Sequence, residues 1–187
     1  MEATINVYTY RAGLLARMAH NLRFTVWQHE ITVQGRRVRG HCAADSFRVD
    51  GVVTRRGLDT RALSYNDRQM ITTAIREEVL KTDKYPRIEF DGEVSGDARG
   101  KLELRGTLQL HGQSRPVASE LVVHGDHLRA TFELAPTDFG ITPFKALAGA
   151  ITVRDRVRVT LDVALEGQTP DGVFGSPNAV RLDVAED

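Results

Sequence analysis

The sequence predicts an all-β protein, an antiparallel β-barrel with one α-helix, and three observations predict it. Apolar and polar residues alternate over long runs, which is the mark of strands with one dry and one wet face. Short links rich in Gly, Asp and Ser join those runs, as in antiparallel hairpins. One stretch alone switches to helical spacing.

Taken in order, "NLRFTVWQHEITV" starts with Leu22, Phe24 and Val26 on one side, and its alternation blurs near Trp27. "RRVRGHCAAD" sets Val38, Gly40, Cys42 and Ala44 against Arg37, Arg39, His41 and Ala43. In "NDRQMITTAIREEVL", Ile71, Ala74, Ile75 and Val79 fall at helical spacing, with Asn66 as the expected cap and Gln69 answering it. Pro86 ends that helix and pushes Tyr85 towards extended backbone, after which "RIEFDGEV" resumes as a strand. "GKLELRGTLQLHG" lines up Leu102, Leu104, Gly106, Leu108 and Leu110. "LVVHGDHLRA" is a hairpin turning on Gly125-Asp126, and "HLRATFELA" leads out of it with Leu128, Ala130, Phe132 and Leu134 facing inward.

The last run, "ITVRDRVRVTLDVAL", has Ile151, Val153, Val157, Val159, Leu161, Val163 and Leu165 in one register, broken only by Asp155. Fully extended it would reach about 50 Å at roughly 3.3 Å per residue, so it is expected to bend around a barrel. Meanders of this kind remove their exposed edges by closing. The inward set mixes bulky residues with Gly40, Ala44, Gly106 and Ala130. That mixture suits either a ligand cavity or a tapered, packed interior. Residues 1–166 are read as the barrel domain and 167–187 as a mobile extension in which "AVRLDV" could add a short strand.

Composition narrows the function. Lys plus Arg equals Asp plus Glu at 25 each, so no overall charge draws nucleic acid or an anionic membrane. The single Cys42 rules out an intrachain disulfide. "MEATINVYTYRAG" holds no signal peptide and "GLLA" is too short for a membrane span, so a soluble, cytoplasmic protein is expected. A periplasmic or secreted location is the alternative if a leader has been removed. Pairing of two barrels into a homodimer stays open. No G-x-S-x-G, Walker, G-x-G-x-x-G or H-E-x-x-H pattern occurs, so no enzyme is expected and no cofactor beyond a bound lipid.

Several segments together resemble the YceI-like family: "KTDKYPRIEFDGEV", "LRGTLQLHGQSRPVASELVV" and "FELAPTDFGITPFKALAGAITVRDRVRVTLDV". "LDTRALSYNDRQMI" and "AHNLRF" are similar to two further family stretches. The matching positions are Tyr85, Pro86 and Phe90; Gly106, Leu108, Gly112 and Pro116; Asp138, Phe139, Gly140 and Ile141; and Asp155 and Val157. His20 and Asn21 stand where the family has a histidine and a small polar residue. The resemblance implies a lipocalin-like barrel of about eight strands that binds a polyisoprenoid, a quinone or a fatty-acyl amphiphile.

Under that implication Phe24, Val26, Leu104, Leu108, Phe132, Val157, Val159 and Leu161 line the site. His20, Asp138, Phe139, Phe144 and Asp155 sit near the head group. Asp155 has a competing reading that we prefer, in which it accepts hydrogen bonds from loop amides and fixes how the 137–150 segment closes. His20 is read first as a strand-end histidine bonded to backbone. His124 and His127 flank a turn and are read as solvated neighbours, not metal ligands. Cys42 is read as a small core residue. Arg154, Arg156 and Arg158 form a wet-face stripe expected to pair with acids such as Glu133. The alternative function is a structural or protein-interaction module with a packed interior.

Overall fold

The computed structural model describes residues 2–12, 20–96, 101–146 and 151–174. In chain order the elements are β1 (Ala3–Ala12), β2 (Leu22–Val26), β3 (His29–Gln34), β4 (Arg37–Ala43), β5 (Phe47–Thr54) and β6 (Gly57–Asp59). Helix α1 (Tyr65–Ala74) runs into a π-helical turn at Ile75–Val79. Then come β7 (Arg87–Ser95), β8 (Leu102–Leu110), β9 (Gln113–His124), β10 (His127–Leu134), a 3-10 turn (Pro136–Phe139), β11 (Lys145–Ala146), β12 (Ile151–Ala164) and α2 (Pro170–Phe174). The all-β class with one substantial helix is as the alternation predicted. "GLLA" and "AVRLDV" lie outside the described residues.

The strands join one strongly curled antiparallel sheet in the order β3-β4-β7-β8-β9-β10-β12-β1-β2-β5-β6, with β11 beside β12. The ends of that path meet in a single kinked hairpin, because β2 and β3 are halves of one strand and β4 and β5 halves of its partner. The Ala43 amide donates to Gln28 O at 3.0 Å and the Trp27 amide to Ser46 O at 3.2 Å, so pairing continues across the kink. Eight staves therefore surround the interior: β1, β2–β3, β4–β5, β7, β8, β9, β10 and β12.

The kink explains why the alternation blurs at Trp27. Inward residues are even-numbered before it (Phe24, Val26) and odd-numbered after it (Ile31, Val33), and the partner strand flips parity as well. Extra residues in a strand pair reverse its faces and bend it. Trp27 itself is 57% exposed on the outer side, beneath the Arg48 guanidinium at 4.8 Å.

The helix cap falls two residues earlier than expected. Ser64, not Asn66, is the N-cap; its hydroxyl accepts from the Asp67 amide at 3.1 Å, and Asp67 accepts from the Ser64 amide at 2.9 Å. A reciprocal box needs a hydroxyl three residues before a side-chain acceptor, and Ser64-Asp67 supplies it. Arg68 then ties α1 to the sheet, donating to Val49 O, Asp50 O and Thr60 O.

The turn at Gly125-Asp126 forms as predicted, with Gly125 at φ 61° and His124 opposite His127. His127 faces Asp162, and among the described residues no cluster of three potential ligands occurs. On the wet face Glu133 accepts from Arg156 and Arg158, each at 2.7 Å, which is the expected ion-pair ladder. Among the described residues no helix is long and apolar enough to cross a membrane.

Candidate ligand-binding chamber

The inward side chains meet in register across the strands. Val159 opposes both Val7 and Phe132, Val157 opposes Thr9 and Leu134, and Phe90 opposes Leu108. Between them lies a cavity of about 260 Å³. Its side-chain wall is apolar apart from Thr9 and Cys42. His41 and Glu89 also border it, but they belong to the alternate, exposed set. Burial pushes the Cys42 thiol up to about 11, so it stays neutral and behaves as the small core residue expected.

One end of the cavity, the mouth, is covered from two sides. Ile75, Val79 and Leu80 hang over it from the π-helical turn, and Pro136, Phe139 and Ile141 from the 3-10 turn and the residues after it. A π turn widens the helix by one residue, which is how it can present Ile75, Val79 and Leu80 inward together. The opposite end, the base, is packed around Val94, Leu102, Leu104, Leu121, Leu128 and Ala130.

Eight residues expected on the wall are there: Phe24, Val26, Leu104, Leu108, Phe132, Val157, Val159 and Leu161. Phe139 borders the cavity too, and at 1% exposure it is among the most buried side chains. His20, Asp138, Phe144 and Asp155 do not border it. His20 and Asp138 are exposed, while Phe144 is half-buried and its carbonyl accepts from the Val153 amide at 3.1 Å.

Asp155 corrects the sequence register. The pairing of β1 with β12 slips between Thr9 and Arg11, so Arg154, Asp155 and Arg156 are all exposed beyond the rim. The acid does not point into the barrel. It accepts from the Thr137 amide at 2.9 Å and from the Thr137 hydroxyl, holding the turn that carries Phe139. Asp155 thus accepts from a loop amide as the preferred reading has it, but at Thr137 and on the outside; residues 147–150 of the segment it was expected to close lie outside the described residues.

The small inward residues do not make the cavity. Gly92 and Gly106 are opposed, and a Cβ on Gly106 would lie 2.6 Å from the Phe90 ring and 2.5 Å from Asp91 O. The room they leave is filled by Phe90, whose ring centroid is 6.3 Å from that of Phe132. Ala44 and Ala130 are likewise packed, each 1% exposed. Of Gly40, Ala44, Gly106 and Ala130, only Gly40 borders the cavity.

Several contributors escaped the pattern. Ile5, Val7 and Thr9 on β1 were not read as a strand, although "TINVYT" alternates. His111 is another. It sits at φ 52° before Gly112 in the β8–β9 turn, with its ring 4.2 Å from Tyr85 and Nδ1 3.3 Å from Phe139 O. Burial first, then Lys81 and Lys84, hold its pKa below the usual histidine value, so it is a neutral brace behind Phe139. The available signal was a histidine beside glycine in a two-residue turn.

A strongly curled antiparallel sheet with one substantial helix across its mouth and an apolar interior defines a small barrel-like β protein. The YceI-like domain model matches residues 7–165, and the chain belongs to that family. Among solved structures it resembles BcnA of Burkholderia cenocepacia at 11% identity and a TM-score of 0.57, covering 86% of this chain and 94% of that one. It also resembles a polyisoprenoid binding domain from Saccharophagus degradans implicated in plant cell wall breakdown. There the identity is 10% and the TM-score 0.56, with 86% of this chain and 91% of that chain covered. These likenesses concern the fold. No curated protein matches the chain.

Proposed function

We propose that this protein binds and carries an apolar chain, of a polyisoprenoid, quinone or fatty-acyl amphiphile, inside its barrel without performing chemistry on it. The observation that carries this reading is the 260 Å³ cavity, walled by apolar side chains from every stave. Such a wall supplies non-directional burial, about 25 cal/mol per Å² of apolar area. Among the described residues its inward side chains offer no positioned acid or base, since His41 and Glu89 border it only from the alternate, exposed set; Thr9 is a lone hydroxyl and the Cys42 thiol is held neutral. Membership of the YceI-like family, and the polyisoprenoid binding ascribed to the Saccharophagus degradans relative, support the ligand class.

A head group would stay at the mouth, where Phe139, His20, Asp138, Phe144 and the Asp155-held turn are the candidates to meet it. The packed base favours the rival reading, an interaction module with a filled interior. The chamber above it does not.

The test is uptake of a fluorescent apolar probe, saturable and displaced by competing lipid. Phe132→Asp places a carboxylate in the wall, and desolvating it inside the chamber costs several kcal/mol. Uptake is expected to be lost in folded Phe132→Asp protein. Normal uptake by that variant would move the site elsewhere.

A further inference from the structure

Below the chamber lies a second, small void of about 40 Å³, and Ile31, Val38, Leu104 and Leu161 border both. Only a layer of side chains separates them. The void ends on Leu165, Val173 and Phe174. None of these belongs to a strand, since β12 finishes at Ala164, and the family match finishes at residue 165. Helix α2 is therefore a feature of this chain beyond the residues it shares with the family model.

The local sequence explains how α2 comes to lie there. Glu166 at φ 52° and Gly167 at φ 80° reverse the chain, and the Leu165 amide is held by Asp126 O at 2.9 Å. Pro170 opens the short helix, where its missing amide costs nothing. The Thr169 hydroxyl accepts from the Gly172 amide at 3.1 Å, and its carbonyl from the Val173 amide at 3.0 Å. The result tucks Phe174, 5% exposed, into the base of the barrel as part of its core. The segment expected as a mobile extension thus begins with a docked turn; residues 175–187 lie outside the described residues.

We propose that Phe174 is a stopper, a specificity-determining residue that closes the base and sets the length of apolar chain the barrel accepts. This rests on the ligand-carrying reading above. With Phe174 in place, 260 Å³ holds about nine groups of water size at roughly 30 Å³ each, close to two isoprene units. Phe174→Ala removes six ring carbons and joins their space to the lower void. With that space open, the intervening Ile31, Val38, Leu104 and Leu161 side chains can turn aside into it and let a chain reach deeper, and each further buried methylene is worth about fourfold in affinity.

The experiment measures displacement of N-phenyl-1-naphthylamine from the full chain and from Phe174→Ala by geraniol, farnesol and geranylgeraniol. These carry two, three and four isoprene units on one alcohol head. The readout is the ratio of affinities for farnesol and geraniol. It is expected to rise at least tenfold in Phe174→Ala, and the Phe174→Trp variant should not raise it. An unchanged ratio, with saturable binding intact, overturns the stopper and leaves the carrier reading standing. Absence of saturable binding of every probe to the native chain overturns the carrier reading and the stopper with it. Should Phe174→Ala fail to fold by circular dichroism, Phe174→Leu replaces it. A rise of about threefold is expected there, and no rise overturns the proposal.

Discussion

Strand β8 carries one residue type into two environments. Leu102 and Leu104, near the base, are 4% and 3% exposed, whereas Leu108 and Leu110, nearer the mouth, are half-buried against the chamber. Same strand, same face, same side chain, and Gly106 sits between the pairs. The difference comes from what meets them. The lower pair is clustered with Val94, Leu121, Leu128 and the stopper Phe174, with Leu104 forming part of the chamber floor, whereas the upper pair faces open space under the helical lid. An inward register decides which side chains leave the outer surface; it does not decide whether the interior is full.

That difference can be broken or sharpened by substitution. The largest effect is expected at the base. Leu128→Ala removes packed atoms and should lower unfolding free energy by about 2–5 kcal/mol, whereas Leu108→Ala, already beside empty space, should cost clearly less. Urea denaturation of both variants checks this. Equal losses would mean that the two halves are packed alike.

Cys42, on the chamber wall, gives the next effect. A thiol raised from 9.0 to about 11 has about a hundredfold less thiolate near neutral pH, so alkylation should be slower by that factor than for an unperturbed thiol. Its rate should rise with pH towards 11, and a bound lipid should slow it further. A ligand that left the rate unchanged would place itself outside the chamber.

Between the halves, Gly106→Ala tests how the interior is divided. Its Cβ meets Asp91 O, the Gly92 backbone and the Phe90 ring, so the sheet or the ring must shift, at about 1–3 kcal/mol. A neutral outcome in urea would show that Phe90 does not occupy that space.

The smallest effect lies on the wet face. Burial alone would raise the Asp162 carboxyl, but hydrogen bonds from Arg129 and His127 outweigh it and hold it below the usual carboxylate range. A depressed acid stabilises the fold above its unfolded value of about 4, and that contribution is lost as pH falls through its folded value. Asp162→Asn should therefore cost at most ~1 kcal/mol near pH 7, given its half-exposed partners, and nothing at low pH. Stability curves that stay parallel down to pH 2 would contradict that account.

What could be read from the sequence follows the same division. Alternation located β8, β10 and β12 and all eight wall residues expected from them and from β2, because period two is a local property of the strand. Three features were not local. Asp155 left its register because of a slip in the pairing with β1, which only the partner strand reveals. Gly106 and Ala130 suggested space, yet Phe90 and the packed base take it. The stopper came from a Gly- and Pro-rich segment whose composition reads as loop, since one buried phenylalanine in a five-residue helix leaves no periodic trace. The rim residues His20, Asp138 and Phe144 were placed near a head group by resemblance, and the chamber wall does not include them.

The central claim is that the half-empty interior is a binding chamber. Native mass spectrometry of gently purified protein, followed by organic extraction, tests it most directly. The account predicts a stoichiometric adduct of defined mass that extracts as an apolar chain, or one that forms on incubation with prenyl or acyl lipids. A protein mass that stays bare after that incubation would contradict it.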